Sequence, residues 1–183
     1  MREYAKLSPT FWTGEPGRAI RKRGSEAVVV ALYLVSSPGS NMLGLYYQPI
    51  MYMAHETGLG IDGATKGLRA CIEVGFCDYD GDTEMVFVKE MAAWQIADDL
   101  KPADLRCKGI QKDYEALPDN PFLEAWWLRY HKAFHLSTRR VGSREPSLFP
   151  DLPEQGPTES PSEAPSEAPS KPGAGAGAGA DTG

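Results

Sequence analysis

No run in the 183 residues approaches the roughly 18 apolar residues that a membrane span needs, and the start, MREYAKLSPTFW, has no apolar signal core. A soluble, cytoplasmic protein is expected. Cysteine is scarce: Cys71, Cys77 and Cys107 form an odd set without a C-x-x-C pair, which argues against a disulfide framework and a zinc site alike. There is no Walker loop, nucleophile elbow or assembled triad. GLGIDG at residues 58–63 lacks the preceding strand of a dinucleotide fingerprint, and His131 and His135, four residues apart in HKAFH, lack the acid of a metalloprotease motif. No enzyme, metal or cofactor is expected.

Charge is unevenly distributed. Residues 1–142 hold 17 Lys+Arg against 18 Asp+Glu, a net of −1, and residues 143–183 hold 2 against 7, a net of −5, which accounts for the overall −6. The acidic balance therefore describes a tail and leaves the body free to carry a nucleic-acid surface. That tail repeats SEAP and then GA and has almost no large apolar residue after Leu152, so it cannot offset the entropy of ordering. The boundaries expected are 1–142, a folded domain, and 143–183, a disordered Pro/Ser/Glu- and Gly/Ala-rich tail.

Within the body, residues 2–8 suit a strand or an extended lead-in, and a short helix after Thr13-Gly14 collects Arg18, Arg21, Lys22 and Arg23 before Gly24. SEAVVVALYLVSSP begins with Ser25 as an N-cap and reads as a buried helix, although three consecutive valines suit a buried strand equally. Asn41–Gln48 reads as a short strand. Pro49 starts a helix with Ile50, Met53, Ala54 and Thr57 on one face, and Gly58 ends it. Asp62 reads as the N-cap of the next helix, with Ala64, Leu68, Cys71 and Ile72 buried and Thr65, Lys66, Arg69 and Glu73 outward. Gly63 and Gly67 then leave that outward face low enough for a close partner.

Phe76–Tyr79 and Thr83–Val88 pair as a hairpin about Asp80-Gly81-Asp82. Helices are expected over 89–101 and 103–117, broken at Pro102, and over 122–136. On the last helix Trp126, Trp127 and Tyr130 are candidates for a core or a partner subunit. The fold class is mainly α with a small β-hairpin or sheet: a winged helix-turn-helix with C-terminal helices and a disordered tail.

In such a fold the second helix of the helix-turn-helix presents its solvent side to base edges and phosphates, here Thr65, Lys66 and Arg69. The wing, with Asp78, Asp80, Asp82 and Glu84, repels a phosphate backbone. Phosphate contacts are therefore assigned to Arg18, Arg21, Lys22 and Arg23, with Arg139, Arg140 and Arg144 in support.

Residues 41–88 resemble the N-terminal winged-helix domain of phage and prophage replisome-organiser (DnaD-like) replication initiation proteins. The likeness lies in Asn41-Met42-Leu43-Gly44, Pro49 with Ile50–Gly58, the helix through Lys66, Leu68 and Ile72, the Gly75-Phe76 exit and the Tyr79–Val88 hairpin. It extends more loosely over about residues 2–136. The resemblance implies a non-catalytic, DNA-binding role in starting phage replication, at an origin or beside the host helicase-loading primosome. Glu145-Pro146-Ser147-Leu148-Phe149 resembles the peptides that dock replication proteins onto the sliding clamp, which makes Leu148 and Phe149 candidate partner contacts. The rival expectations are a winged-helix protein-interaction module, as a homodimer or docked on a replication partner, and a phage transcriptional regulator.

Overall fold

A computed structural model of the chain describes residues 4–142 and 144–147. Eight helices and three strands follow one another among them: α1 (Thr10–Thr13), α2 (Glu15–Lys22), α3 (Ser25–Ser36), β1 (Leu45–Tyr47), α4 (Ile50–Thr57), α5 (Gly60–Glu73), β2 (Cys77–Asp80), β3 (Met85–Val88), α6 (Met91–Gln95), α7 (Arg106–Glu115) and α8 (Leu123–Tyr130). From α3 to β3 this is the element order of a winged helix-turn-helix.

The valine-rich run resolves as helix. Ala27, Val30, Ala31, Leu34 and Val35 are buried, at the spacing of one helical face, while Val29 looks outward. A strand would have buried alternate residues instead. Ser25 does not cap α3: its hydroxyl donates to the Glu26 carboxylate, and Gly24, at φ +109°, takes the capping position.

α4 starts directly after Pro49 and ends at Gly58, whose left-handed φ of +72° favours glycine. α5 starts three residues earlier than an Asp62 cap would place it, so Asp62 lies in its first turn, where a negative charge meets the positive end of the helix dipole. Its axis comes very close to α3. A Cβ on Gly67 would stand 2.5 Å from the Glu26 carbonyl oxygen and 2.6 Å from Val30 Cγ2. Gly67 therefore faces the core, not an outside partner. Gly67→Ala is expected to push α5 off α3 and to cost about 1–3 kcal/mol, the range for overpacked cores, read as a lower denaturation midpoint at unchanged m-value.

The sheet is antiparallel with order β1-β3-β2, pairing Tyr46 with Val86 and Tyr79 with Val86 across the central strand. Every residue of β3, Met85 to Val88, is buried, because both faces of the sheet are covered. Tyr46, Val86 and Val88 face the core formed with α2, α3, α4 and α5; Leu45, Met85 and Phe87 face a second core under α6, α7 and α8. Strand alternation thus joins two helical layers through one sheet.

The C-terminal helices are shorter than their apolar pattern suggests. α6 stops at Gln95, whose side-chain amide is used up by the backbone of Lys6, and Leu100 is pinned by donating to the Ala133 carbonyl at 2.9 Å. α8 stops at Tyr130, and turns follow through His135, which has a positive φ of 53° and lies 2.7 Å from the Leu100 carbonyl oxygen through Nε2. His131 instead sits on Trp127, rings 3.9 Å apart, so the two histidines do not share a helical face. Cys71, Cys77 and Cys107 are buried free thiols, and burial drives the Cys71 pKa up to about 12. Among the described residues no group of His, Cys, Asp and Glu is placed to hold a metal ion, and no helix is long and apolar enough to cross a membrane.

Candidate nucleic-acid interface

The exposed stripe of α5 runs Asp62, Lys66, Arg69, Glu73, at intervals of four, three and four residues. Lys66 and Arg69 stand outward, as the apolar period predicts. Thr65 does not: it is 8% exposed, and its hydroxyl donates to the Ile61 carbonyl at 2.7 Å, so it serves the helix and has no free donor for a base. The stripe is legible from Ala64, Leu68 and Cys71. Thr65 departs from that reading because the close α3–α5 crossing at Gly67 widens the buried arc.

Two ion pairs frame the stripe. Lys66 Nζ lies 2.7 Å from Glu26 at the start of α3, and Arg23 lies 2.8 Å from Glu73 at the end of α5. The Lys66 ammonium, the Glu26 N–H and the Ser25 hydroxyl hold the Glu26 carboxyl down at about 2. Glu26 therefore stays ionised and holds Lys66 at the surface. Two further consequences follow. The stripe is close to neutral by itself, and the C-terminal turn of α2 is brought alongside α5.

On α2, Gly17 and Ile20 are buried, and Arg18, Arg21 and Lys22 are exposed on the remaining faces. These three pair with no acid among the described residues. The helix that carries these cations is thus tied at its end, through Arg23, to the last turn of the second helix of the helix-turn-helix.

The wing is less hostile to a phosphate than its composition suggests, because each of its four acids has a partner. Lys89 pairs with Asp78 at 3.1 Å, and the Tyr47 hydroxyl donates to Glu84 at 2.8 Å. The Asp80 side chain is 0% exposed and Arg144 reaches both Asp80, at 2.5 Å, and Asp82. Gly81 N–H donates to the Ser147 carbonyl at 3.1 Å, and Ser147 N–H donates to Asp80 Oδ1 at 2.7 Å. Residues 144–147 therefore close along the wing turn, beyond the boundary expected at residue 142.

This changes the role of the late arginines. Arg144 is occupied by the wing. Arg140 donates to the Tyr114, Glu115 and Leu117 carbonyls, satisfying the open end of α7. Arg139 pairs with Glu124 and lies over the Trp127 ring. None of the three is a free phosphate contact.

The aromatic residues of α8 also turn inward. Trp126 is fully buried, stacked on Tyr114 at 5.0 Å, with Nε1 donating to the Leu43 carbonyl at 2.8 Å. Tyr130 is buried, and its hydroxyl donates to the Lys89 carbonyl. Both belong to the domain core and are not available to a partner. Trp127 is half-buried, with an indole N–H that is buried and unpaired among the described residues. Leu148 and Phe149 lie outside the described residues, as does the rest of the tail expected to be disordered, apart from residues 144–147.

The fold and this surface define a winged helix-turn-helix protein with cations on and beside its second helix. No protein-family model, curated protein or solved structure matches the chain.

Proposed function

We propose that the protein is a non-catalytic DNA-binding winged helix, with α5 as the helix presented to the groove and α2 as its phosphate clamp. The observation that carries this reading is the Arg23–Glu73 pair at 2.8 Å, which ties the end of α2, the helix that exposes Arg18, Arg21 and Lys22, to the last turn of α5, the helix that exposes Lys66 and Arg69. Sequence-independent affinity for DNA comes from such cations displacing counterions, and a helix flanked by a second cationic helix meets both needs, groove and backbone. Lys89 and Arg144 offset two of the four negative charges of Asp78, Asp80, Asp82 and Glu84, which lessens the objection raised by an acidic wing. The likeness of residues 41–88 to replisome-organiser proteins supports placing this activity at the start of phage replication, at an origin or beside a helicase loader.

The reading is tested by titrating the full chain against labelled duplex over a range of salt. Log affinity is expected to fall linearly with log salt, and Arg21→Ala with Lys22→Ala to lower the slope by about 0.9 for each phosphate that is no longer neutralised. Lys66→Ala with Arg69→Ala is expected to weaken binding about tenfold or more, since Glu26 is then an unpaired acid on the binding face. Absence of binding at low salt would remove the proposal. The remaining reading would be a protein-interaction module, favoured by the neighbouring Tyr47, Met51 and Tyr52 side chains, exposed at 51%, 61% and 55%.

A further inference from the structure

The chain has four tryptophans, and the structure divides them. Trp126 and Trp127 lie in or on the second core, whereas Trp12 and Trp94 are exposed at 42% and 40%. Trp94 lines a slot of about 290 Å³ that opens between the N-terminal segment, the α1–α2 corner and α6. That is the lower edge of the size range for small-molecule sites, about 300–1,000 Å³. Phe11, Phe76 and Trp94 form its aromatic walls. Phe76 lies 6.2 Å from Trp94, and Trp12 stands edge-on to the Phe11 wall at 5.1 Å.

The lining also contains Lys6 and Glu90. Lys6 is anchored by its backbone to the Gln95 amide, and its ammonium donates to the Gln95 carbonyl at 3.0 Å. Glu90 is neutralised by Arg129. The floor, Pro16, Gly17 and Ile20, belongs to α2, the same helix that exposes Arg18, Arg21 and Lys22. An aromatic slot with a neutralised acid and a cationic helix for a rim suits a flat ring attached to a negatively charged chain.

We propose that this slot receives one unpaired base of a DNA strand whose phosphates lie along α2. The inference rests on the DNA-binding reading above and adds strandedness to it. Aromatic faces accept any base by stacking, and flanking cations hold the backbone without reading sequence. α2 is about 12 Å long at 1.5 Å per residue, and its last turn touches the end of α5 through Arg23 and Glu73. Duplex on α5 and a strand leaving it across α2 would end at the slot, so the preferred ligand is a junction between duplex and single strand.

The test compares the full chain on a duplex and on the same duplex carrying a short oligo-thymidine overhang, by fluorescence anisotropy. The overhang is expected to tighten wild-type binding between about 5- and 100-fold, the range that stacking one base supplies. Trp94→Ala should lose that gain while keeping its duplex affinity, which also shows that the variant is folded; Trp94→Phe should retain most of it. An overhang that adds nothing to wild type, or a gain that survives in Trp94→Ala, overturns the proposal while leaving the duplex reading intact. If wild type binds neither DNA, the DNA-binding reading itself falls. If Trp94→Ala alters self-association in sedimentation but not DNA binding, the slot belongs to a second copy of the chain and the base-binding proposal is overturned.

Discussion

Trp126→Ala is expected to destabilise the domain by about 4 kcal/mol, within the 3–5 kcal/mol found when a buried large aromatic is truncated. The residue is fully buried between Tyr114 at 5.0 Å and Tyr130 at 5.2 Å, so its removal leaves a cavity that two ring neighbours must line. It also orphans the Leu43 carbonyl, which accepts from Nε1 at 2.8 Å and stands just before β1. That carbonyl is buried with the side chain that covers it, so its loss of a donor carries a penalty beyond the lost packing. For a domain of this size 1 kcal/mol moves the melting temperature by roughly 2–4 °C, and the expected fall is therefore about 10–15 °C by calorimetry. Trp126→Phe should fall between the two, because it keeps most of the packing and loses only the N–H donor. If Trp126→Ala melts within about 3 °C of wild type, α8 is not the lid of the second core.

The contrast between Trp126 and the expectation drawn for it shows where the sequence is readable and where it is not. Apolar spacing locates α3 and α4 almost to the residue and the start of α5 to within three, because each buries a single stripe against neighbours close in the chain. The hairpin is equally legible from Asp80-Gly81-Asp82 between two apolar runs. The density of aromatic residues on α8 shows that something must cover them, but not whether the cover is α7 of the same chain or another molecule. Tyr114 supplies it from ten residues of helix that carry little apolar character of their own.

The ends of α6 and α8 depart from the apolar pattern for a related reason. They are set by hydrogen bonds far along the chain, Gln95 with Lys6 and Ala133 with Leu100, to which a local pattern is blind. The candidate interface divides in the same way. Lys66 and Arg69 follow from the period of α5, and Arg18, Arg21 and Lys22 from their density, whereas the link between the two helices comes from the Arg23–Glu73 pair. Charge counted along the wing turn overstates its negative surface, since Arg144 and Lys89 come from outside the turn to neutralise part of it.

That neutralisation is the basis for the second large effect. Asp80→Ala is expected to cost about 3 kcal/mol, toward the low end of what breaking a buried, hydrogen-bonded ion pair costs, because the Arg144 side chain is still 35% exposed and regains some water. The carboxylate accepts from the Thr83 N–H at 3.0 Å, the Thr83 hydroxyl, the Ser147 N–H at 2.7 Å and Arg144 at 2.5 Å. Its loss should free residues 144–147 from the wing, making the bond after Arg144 faster to cleave in limited trypsin digestion. Burial by itself would raise the Asp80 pKa; the Thr83 and Ser147 hydrogen bonds and the Arg144 charge outweigh it and hold the carboxyl below its ordinary range. A folded pKa below the unfolded value of about 3.9 adds stability that is complete above that value and is lost as pH falls through the folded one. The difference in melting temperature between wild type and Asp80→Asn should therefore be constant above about pH 5 and shrink below about pH 4. A difference that stays constant as pH is lowered below about 4 would mean that Asp80 carries no proton-linked part of the wing's stability and that residues 144–147 are held by their backbone alone.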